Sequence, residues 1–206
     1  QGQGRSYRHL LNKHKGHVNE FKDYSADLNL FNTQIVDTYW PGKKILVSHS
    51  MGGAIAFDYL AHFEHNFSGA FLSAPMLDIY TKNTPKPLAK LIASTATLLG
   101  QKDNYALGQT DYIPDEFATN VLTSSPVRYE LFRQTYQEEP LLQLGGVTYG
   151  WLNATFAFIT SVDNLSVTIP LYIASAQNDE VVDNNAQYKL ANRHVNTVLK
   201  SFEGAK

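Results

Sequence analysis

The chain is 206 residues long, 43% hydrophobic, with 17 Lys plus Arg against 19 Asp plus Glu and no cysteine. That length suits one sizeable globular domain, or a domain with an insertion, while the missing cysteines exclude disulfides and thiolate zinc sites. Near-neutral charge argues against a nucleic-acid binder relying on phosphate neutralisation, and no apolar run approaches the ~18 residues of a membrane span or forms a signal-peptide core.

Residues 1–17 hold Arg5, Arg8, Lys13 and Lys15 with no acid, which reads as a solvated loop or as a patch favouring anionic headgroups. Val18, Phe21, Leu28, Phe31 and Ile35 then recur at helical spacing up to about Trp40, where Pro41 and Gly42 stop the segment. KILVS reads as a short buried strand, residues 51–63 as a helix, and SGAFLSAP as a second strand closed by Pro75. Helix, strand, helix, strand predicts an α/β fold with a doubly wound, mostly parallel sheet.

From residue 76 to 165 helical patterning takes over. Leu88, Leu91, Ile92, Thr95 and Leu98 share one face, and Ser125 followed by Pro126 signals a helix start. The predicted organisation is a core of residues 1–75 and 166–206 with a helical cap of 76–165 inserted. VTIPLYIAS then reads as a strand, Asp183 as the cap of a helix to about Arg193, and TVLKSF as a final strand.

SHSMGG, between a predicted strand and a predicted helix, matches the G-x-S-x-G elbow except that Ser48 stands at its first glycine. A serine in such a tight turn needs small neighbours, here Ser48 and Gly52, and the pattern makes Ser50 the candidate nucleophile. The Met51 N–H, at the start of the helix, is the candidate oxyanion donor, aided by the helix dipole. His49 is adjacent in sequence, points away from Ser50 at a strand end, and reads as a wall residue.

A serine hydroxyl needs a histidine to take its proton and a carboxylate to orient that histidine, in the chain order Ser, acid, His for this fold. IASAQNDEVVDN places Asp179 in the turn after the strand that follows the insertion, with Glu180 the weaker choice and Asp183 the helix cap. The histidine belongs after TVLKSF. No histidine lies beyond His194, which precedes that strand. The sequence therefore reads as a chain whose catalytic base, and whose second oxyanion donor from an early loop, lie outside residues 1–206. N-terminal strands are expected to be missing as well.

QGQGRSYR, GHVNEFKDYSADL, SHSMGGAIA, SAPMLDI, the insertion stretch NVLTSSPVRYELFRQTYQEEPLLQLGGVTYGWL and NDEVVDN together resemble bacterial lysophospholipases of the PldB type. These belong to the monoacylglycerol-lipase and serine-aminopeptidase-like branch of the α/β-hydrolase superfamily. The resemblance implies an α/β-hydrolase fold with a helical cap, Ser50 as nucleophile, the Met51 amide in the oxyanion hole and Asp179 as triad acid, with the triad histidine not in this chain. It implies hydrolysis of a lysophospholipid or other monoacyl lipid ester without metal or organic cofactor. It also implies no nucleic-acid partner, peripheral membrane association, and a place in the bacterial cytoplasm or at the inner membrane. Monoacylglycerol lipase or general carboxylesterase activity is the alternative, and a non-catalytic hydrolase-fold binding module is the alternative of another class. Residues 1–206 alone are expected to turn over negligibly.

Overall fold

The computed structural model describes residues 1–81 and 84–205. Its helices in chain order are α1 (Lys22–Phe31), α2 (Asp37–Tyr39), α3 (Met51–His62), α4 (Lys86–Leu98), α5 (Pro126–Glu138), α6 (Tyr149–Ser161) and α7 (Asn184–Arg193). The strands are β1 (Lys44–His49), β2 (Phe67–Ser73), β3 (Leu171–Ala176) and β4 (Thr197–Phe202). Two compact units result, one of residues 1–21 and 81–158, the other of residues 22–80 and 159–206.

The second unit holds the sheet. Its four strands lie in the order β1, β2, β3, β4, all parallel. The register sets His49, Ser73, Ala174 and Lys200 abreast, so the C-terminal strand ends share one edge of the sheet. β1 is an edge strand of this sheet, with Ile45 and Val47 67% and 70% exposed. β3 is shorter than VTIPLYIAS suggests. Pro170 has no N–H to give a ladder and contributes only its carbonyl, which accepts from Ala70 N at 2.9 Å.

Small residues bring α3 close to the sheet: Gly53, Ala54 and Ala56 are buried beside Phe57, Tyr59 and Leu60, and α1 packs against α3. The single long helix expected up to Trp40 is interrupted. α1 passes through a π-helical stretch, Asn32–Val36, before α2, and the Asp37 N–H reaches back to Asn32 O. A polar knot sits at this point. Asn32 Nδ2 donates to Asp37 Oδ2 at 3.0 Å, and the buried Lys44 ammonium pairs with Asp37, holding that carboxyl below the usual carboxylate range. At the other end of the sheet unit, Asp183 caps α7 by accepting from Asn185 N at 3.0 Å, as its position predicts.

The first unit takes the N-terminal 21 residues because its glycines let backbones meet. Gly16 N donates to Gly146 O (2.9 Å), Thr148 N to Gly16 O (2.9 Å), and Gly145 N to His14 O (2.7 Å). A Cβ on Gly145 would lie 2.6 Å from Thr110 O, and one on Gly146 2.6 Å from Gln109 Cβ. His17, 3% exposed, hydrogen-bonds through Nδ1 to Thr148 Oγ1 at 2.8 Å, and burial pushes its pKa down from the ordinary histidine value. Phe21 stacks on Phe158 with ring centroids 4.2 Å apart, so Phe158, like the 5% exposed Phe156, packs the interior.

The basic N-terminal run is tied into this unit. Arg8 is 8% exposed and its guanidinium donates to Gly4 O and Lys13 O. Lys13 Nζ bonds Leu10 O, Lys15 Nζ bonds Asp103 O, and Arg5 pairs with Glu139 at 2.6 Å. Four like charges in a row in the sequence are thus not four like charges on one solvated face.

Candidate active site

The turn from β1 to α3 is strained at one residue. Ser50 has φ 52° and ψ −122°, and among the described residues only one other non-glycine, Ala74 at φ 41°, has a positive φ. Such a conformation costs on the order of 1–3 kcal/mol and persists only where its surroundings hold it. Here the backbone does so. Ser50 N donates to Ser73 O at 2.9 Å at the end of β2, while Ser50 O accepts from Gly53 N (2.8 Å), Ala54 N (3.3 Å) and Met76 N (3.0 Å). The two positive-φ residues follow neighbouring strands, and the segment after Ala74 closes on Ser50.

The steric demand falls on a different glycine from the one the motif suggests. A Cβ on Gly52 would meet only Ser48 Cβ, at 3.9 Å, an ordinary contact. On Gly53 it would lie 2.6 Å from Pro75 Cβ and 2.8 Å from Pro75 Cα. Gly53→Ala is therefore expected to lower stability by about 1–3 kcal/mol, whereas Gly52→Ala should leave it unchanged or raise it by up to about 1 kcal/mol. Urea unfolding checks both, as a shift of midpoint at constant slope. Ser48 tolerates the turn, but its hydroxyl is buried with no hydrogen-bond partner among the described residues.

Past Ser50, α3 begins at Met51, whose N–H finds no backbone acceptor among the described residues. First-turn amides of a helix have no intrahelical partner, and the dipole favours negative charge there. Met51 N–H is thus free to donate at the side of the Ser50 turn.

Asp179 lies three residues beyond β3, at the same sheet edge. Its Oδ1 accepts from Val181 N (2.8 Å) and Val182 N (2.9 Å), and its own N–H donates to Ala176 O at 3.3 Å. One carboxylate oxygen is spent on the turn; the other makes no hydrogen bond among the described residues. Glu180 beside it is exposed. The Asp179 loop is fastened to the segment that closes on Ser50: Ile79 bridges Val182, Tyr80 N donates to Val181 O (3.2 Å), Asp183 N donates to Asp78 O (3.1 Å), and the buried Gln187 donates to Pro75 O (3.3 Å). The sequence shows none of these links, because they depend on which loops the parallel order makes neighbours.

The loop after β4 runs alongside as well. Gln177 N donates to Phe202 O (3.1 Å), Asn178 N to Ala205 O (2.8 Å), and Gly204 N to Gln177 Oε1 (3.2 Å). The histidines of this unit are engaged elsewhere. His49 is exposed and bonds Ser73 Oγ at 3.2 Å; His62 Nδ1 lies 3.2 Å from the buried Asp58, which also accepts from Ser25 Oγ at 2.5 Å. His65 packs near Tyr59 and Phe67, and His194, edge-on to Phe57, precedes β4 at the opposite edge of the sheet. Among the described residues no group of three or more His, Asp or Glu side chains gathers as a metal site would require.

Relatives are found over about nine-tenths of the chain. It is 35% identical over 190 residues to lysophospholipase L2 of Escherichia coli K12, covering 89% of this chain and 55% of that protein. It is 29% identical over 189 residues to a probable lysophospholipase L2 of Haemophilus influenzae, covering 91% and 60%. The chain thus spans little more than half the length of the curated relatives it matches. Among solved structures, the monoacylglycerol lipase of Paleococcus ferrophilus superposes with a TM-score of 0.70 at 17% identity, over 99% of this chain and 71% of that one. With its parallel sheet flanked by helices, that likeness makes the fold an α/β-hydrolase fold. The model of the family described as Serine aminopeptidase, S33 matches residues 1–206, and the chain belongs to that family.

Proposed function

We propose that these residues form part of a serine carboxylic ester hydrolase that cleaves lysophospholipids through an acyl-enzyme. The observation that carries the reading is the positive-φ turn at Ser50, which lifts a hydroxyl out of the strand beside the unpaired first-turn amide of α3. Ser50 Oγ attacks the acyl carbonyl while a histidine takes its proton; Asp179 orients that histidine through the carboxylate oxygen its own turn leaves unused. The Met51 N–H donates to the oxyanion. Collapse of the tetrahedral intermediate breaks the bond from the acyl carbon to the glycerol oxygen, and the departing glycerophosphodiester takes the proton from the histidine on that oxygen. Water then adds to the acyl-enzyme by the same route and releases the fatty acid.

We place the histidine and a second oxyanion donor in the whole protein, outside residues 1–206. The order Ser, acid, His and the engagement of the sheet unit's own histidines support this. The relatives named lysophospholipase L2 support the lysophospholipid headgroup, and contact with a lipid surface follows from so amphiphilic a substrate. Hydrolysis of a lysophospholipid and of a monoacylglycerol of equal chain length by the whole protein tests the headgroup. The expected result is a kcat/KM at least about tenfold higher on the lysophospholipid, roughly 1.4 kcal/mol of transition-state preference; equal values, or a preference for the neutral lipid, would make it a monoacylglycerol lipase or general esterase instead.

A further inference from the structure

The inward face of α7 carries amides where a packed helix ordinarily carries leucines. Asn184, Gln187 and Leu190 follow one another at helical spacing, with Gln187 fully buried and Leu190 1% exposed, while Tyr188 and Lys189 face outward. Each amide donates to a main-chain carbonyl: Asn184 Nδ2 to Ala176 O at 2.6 Å, and Gln187 Nε2 to Pro75 O at 3.3 Å. A carbonyl can only accept, so the NH2 group of each side chain is committed to that bond and its own oxygen is turned away from it. Both oxygens, Asn184 Oδ1 and Gln187 Oε1, are buried with no hydrogen-bond partner among the described residues. A buried polar atom left in that state opposes folding, so two amides here are a poor choice for stability.

The two acceptors show what the amides hold. Ala176 O also accepts from Asp179 N at 3.3 Å, so Asn184 fastens the base of the turn that carries the candidate acid. Pro75 packs where a Cβ on Gly53 would lie, and its neighbour Met76 donates to Ser50 O at 3.0 Å, so Gln187 fastens the segment that closes on the Ser50 turn. One turn of one helix thus reaches both loops. We propose that Asn184 and Gln187 are positioning residues, a two-amide clamp that sets the Asp179 turn against the Ser50 turn and so aligns acid, histidine and nucleophile. The role rests on the serine-hydrolase reading above and extends it to residues outside the reacting groups. Neither carbonyl needs the clamp for its own sake. Pro75 O keeps Leu77 N at 2.9 Å and Ala176 O keeps Asp179 N. Removing either amide therefore leaves no acceptor unpaired and takes away an unpaired oxygen, whereas a misplacement of about 1 Å in the reacting geometry costs about a hundredfold in rate.

Gln187→Met and Asn184→Ala in the whole protein test the clamp, methionine being unbranched and apolar where glutamine is unbranched and polar. Each is expected to lower kcat on a monoacyl ester by about 10- to 100-fold with KM changed by less than about threefold, and the melting temperature of Gln187→Met should be unchanged or raised. The double variant should lose little more than the worse single variant, because a clamp fails when either end opens. Phosphonylation of Ser50 by a fluorophosphonate should slow by at least about tenfold in Gln187→Met, and hydrogen exchange at the Met76 amide should quicken while that of the central strands does not. A kcat within about twofold of the parent in folded single variants, or a loss that only tracks a lowered melting temperature, would overturn the proposal. So would losses that multiply in the double variant, which would make the two residues independent. A parent that neither hydrolyses the ester nor takes the label at Ser50 would remove the serine-hydrolase reading and this role with it; a labelled, active parent with equally active variants would remove this role alone.

Discussion

Replacing Ser50 by alanine is expected to lower kcat for lysophospholipid hydrolysis by the whole protein on the order of a million-fold, with KM changed by less than about threefold. Only the attacking oxygen is lost. The backbone bonds that hold the turn, from Ser50 N to Ser73 O and from Gly53, Ala54 and Met76 to Ser50 O, use no side-chain atom. Alanine also tolerates the conformation in this very neighbourhood, as Ala74 at φ 41° demonstrates. The variant should therefore fold, with an unchanged melting temperature, and bind substrate without acylating. Steady-state kinetics with a single-turnover measurement of acyl-enzyme formation checks this. A loss below about a hundredfold would mean that another group attacks the carbonyl.

Asp179→Asn is expected to cost about ten-thousand-fold in kcat while leaving stability within about 0.5 kcal/mol. The geometry separates the two roles of the side chain. Oδ1 holds the turn through the Val181 and Val182 amides, a task an asparagine carbonyl performs equally well. The second oxygen is the one available to a histidine N–H, and there an amide nitrogen presents a donor and no charge. The imidazole would be left in the wrong tautomer and the imidazolium without its counter-ion. Asp179→Ala should lose both roles, adding roughly 1–2 kcal/mol of destabilisation from two unpaired amides. An Asn variant as unstable as the Ala variant, or one with activity within about tenfold of the parent, would show Asp179 to be a turn-former and move the acid elsewhere.

What could be read in the sequence was whatever depends on neighbours along the chain. The small residues around Ser50, the helix caps at Ser125 and Asp183, and the four strand runs are local patterns, and the structure contains each. What could not be read depends on residues distant in sequence. Pro75 makes Gly53 rather than Gly52 the indispensable glycine, yet it lies on the next strand's loop. The π-helical stretch answers to Lys44, which belongs to β1. The stripe of Leu88, Leu91 and Leu98 is plain in the sequence, but periodicity gives a face and not its direction, and the structure turns it toward solvent. Likewise the basic run 5–15 looks like a patch until Arg8 is seen to be buried among carbonyls. The candidate acid was legible because Asp179 sits in a short loop with its own turn bonds. The fastening of that loop to the Ser50 turn, through Ile79 and Val182, was not.

Covalent capture of the Ser50 oxygen distinguishes a nucleophile from a serine that merely sits in a strained turn. The whole protein would be treated with a fluorophosphonate, digested with trypsin, and the modified residue located by fragmentation within the peptide of residues 45–82, which also carries Ser48, Ser68 and Ser73. Stoichiometric modification is expected at Ser50 alone, competed by a monoacyl lipid and absent from Ser50→Ala. Modification at another serine, or labelling that persists at full yield in Ser50→Ala, would contradict the assignment of Ser50 as nucleophile.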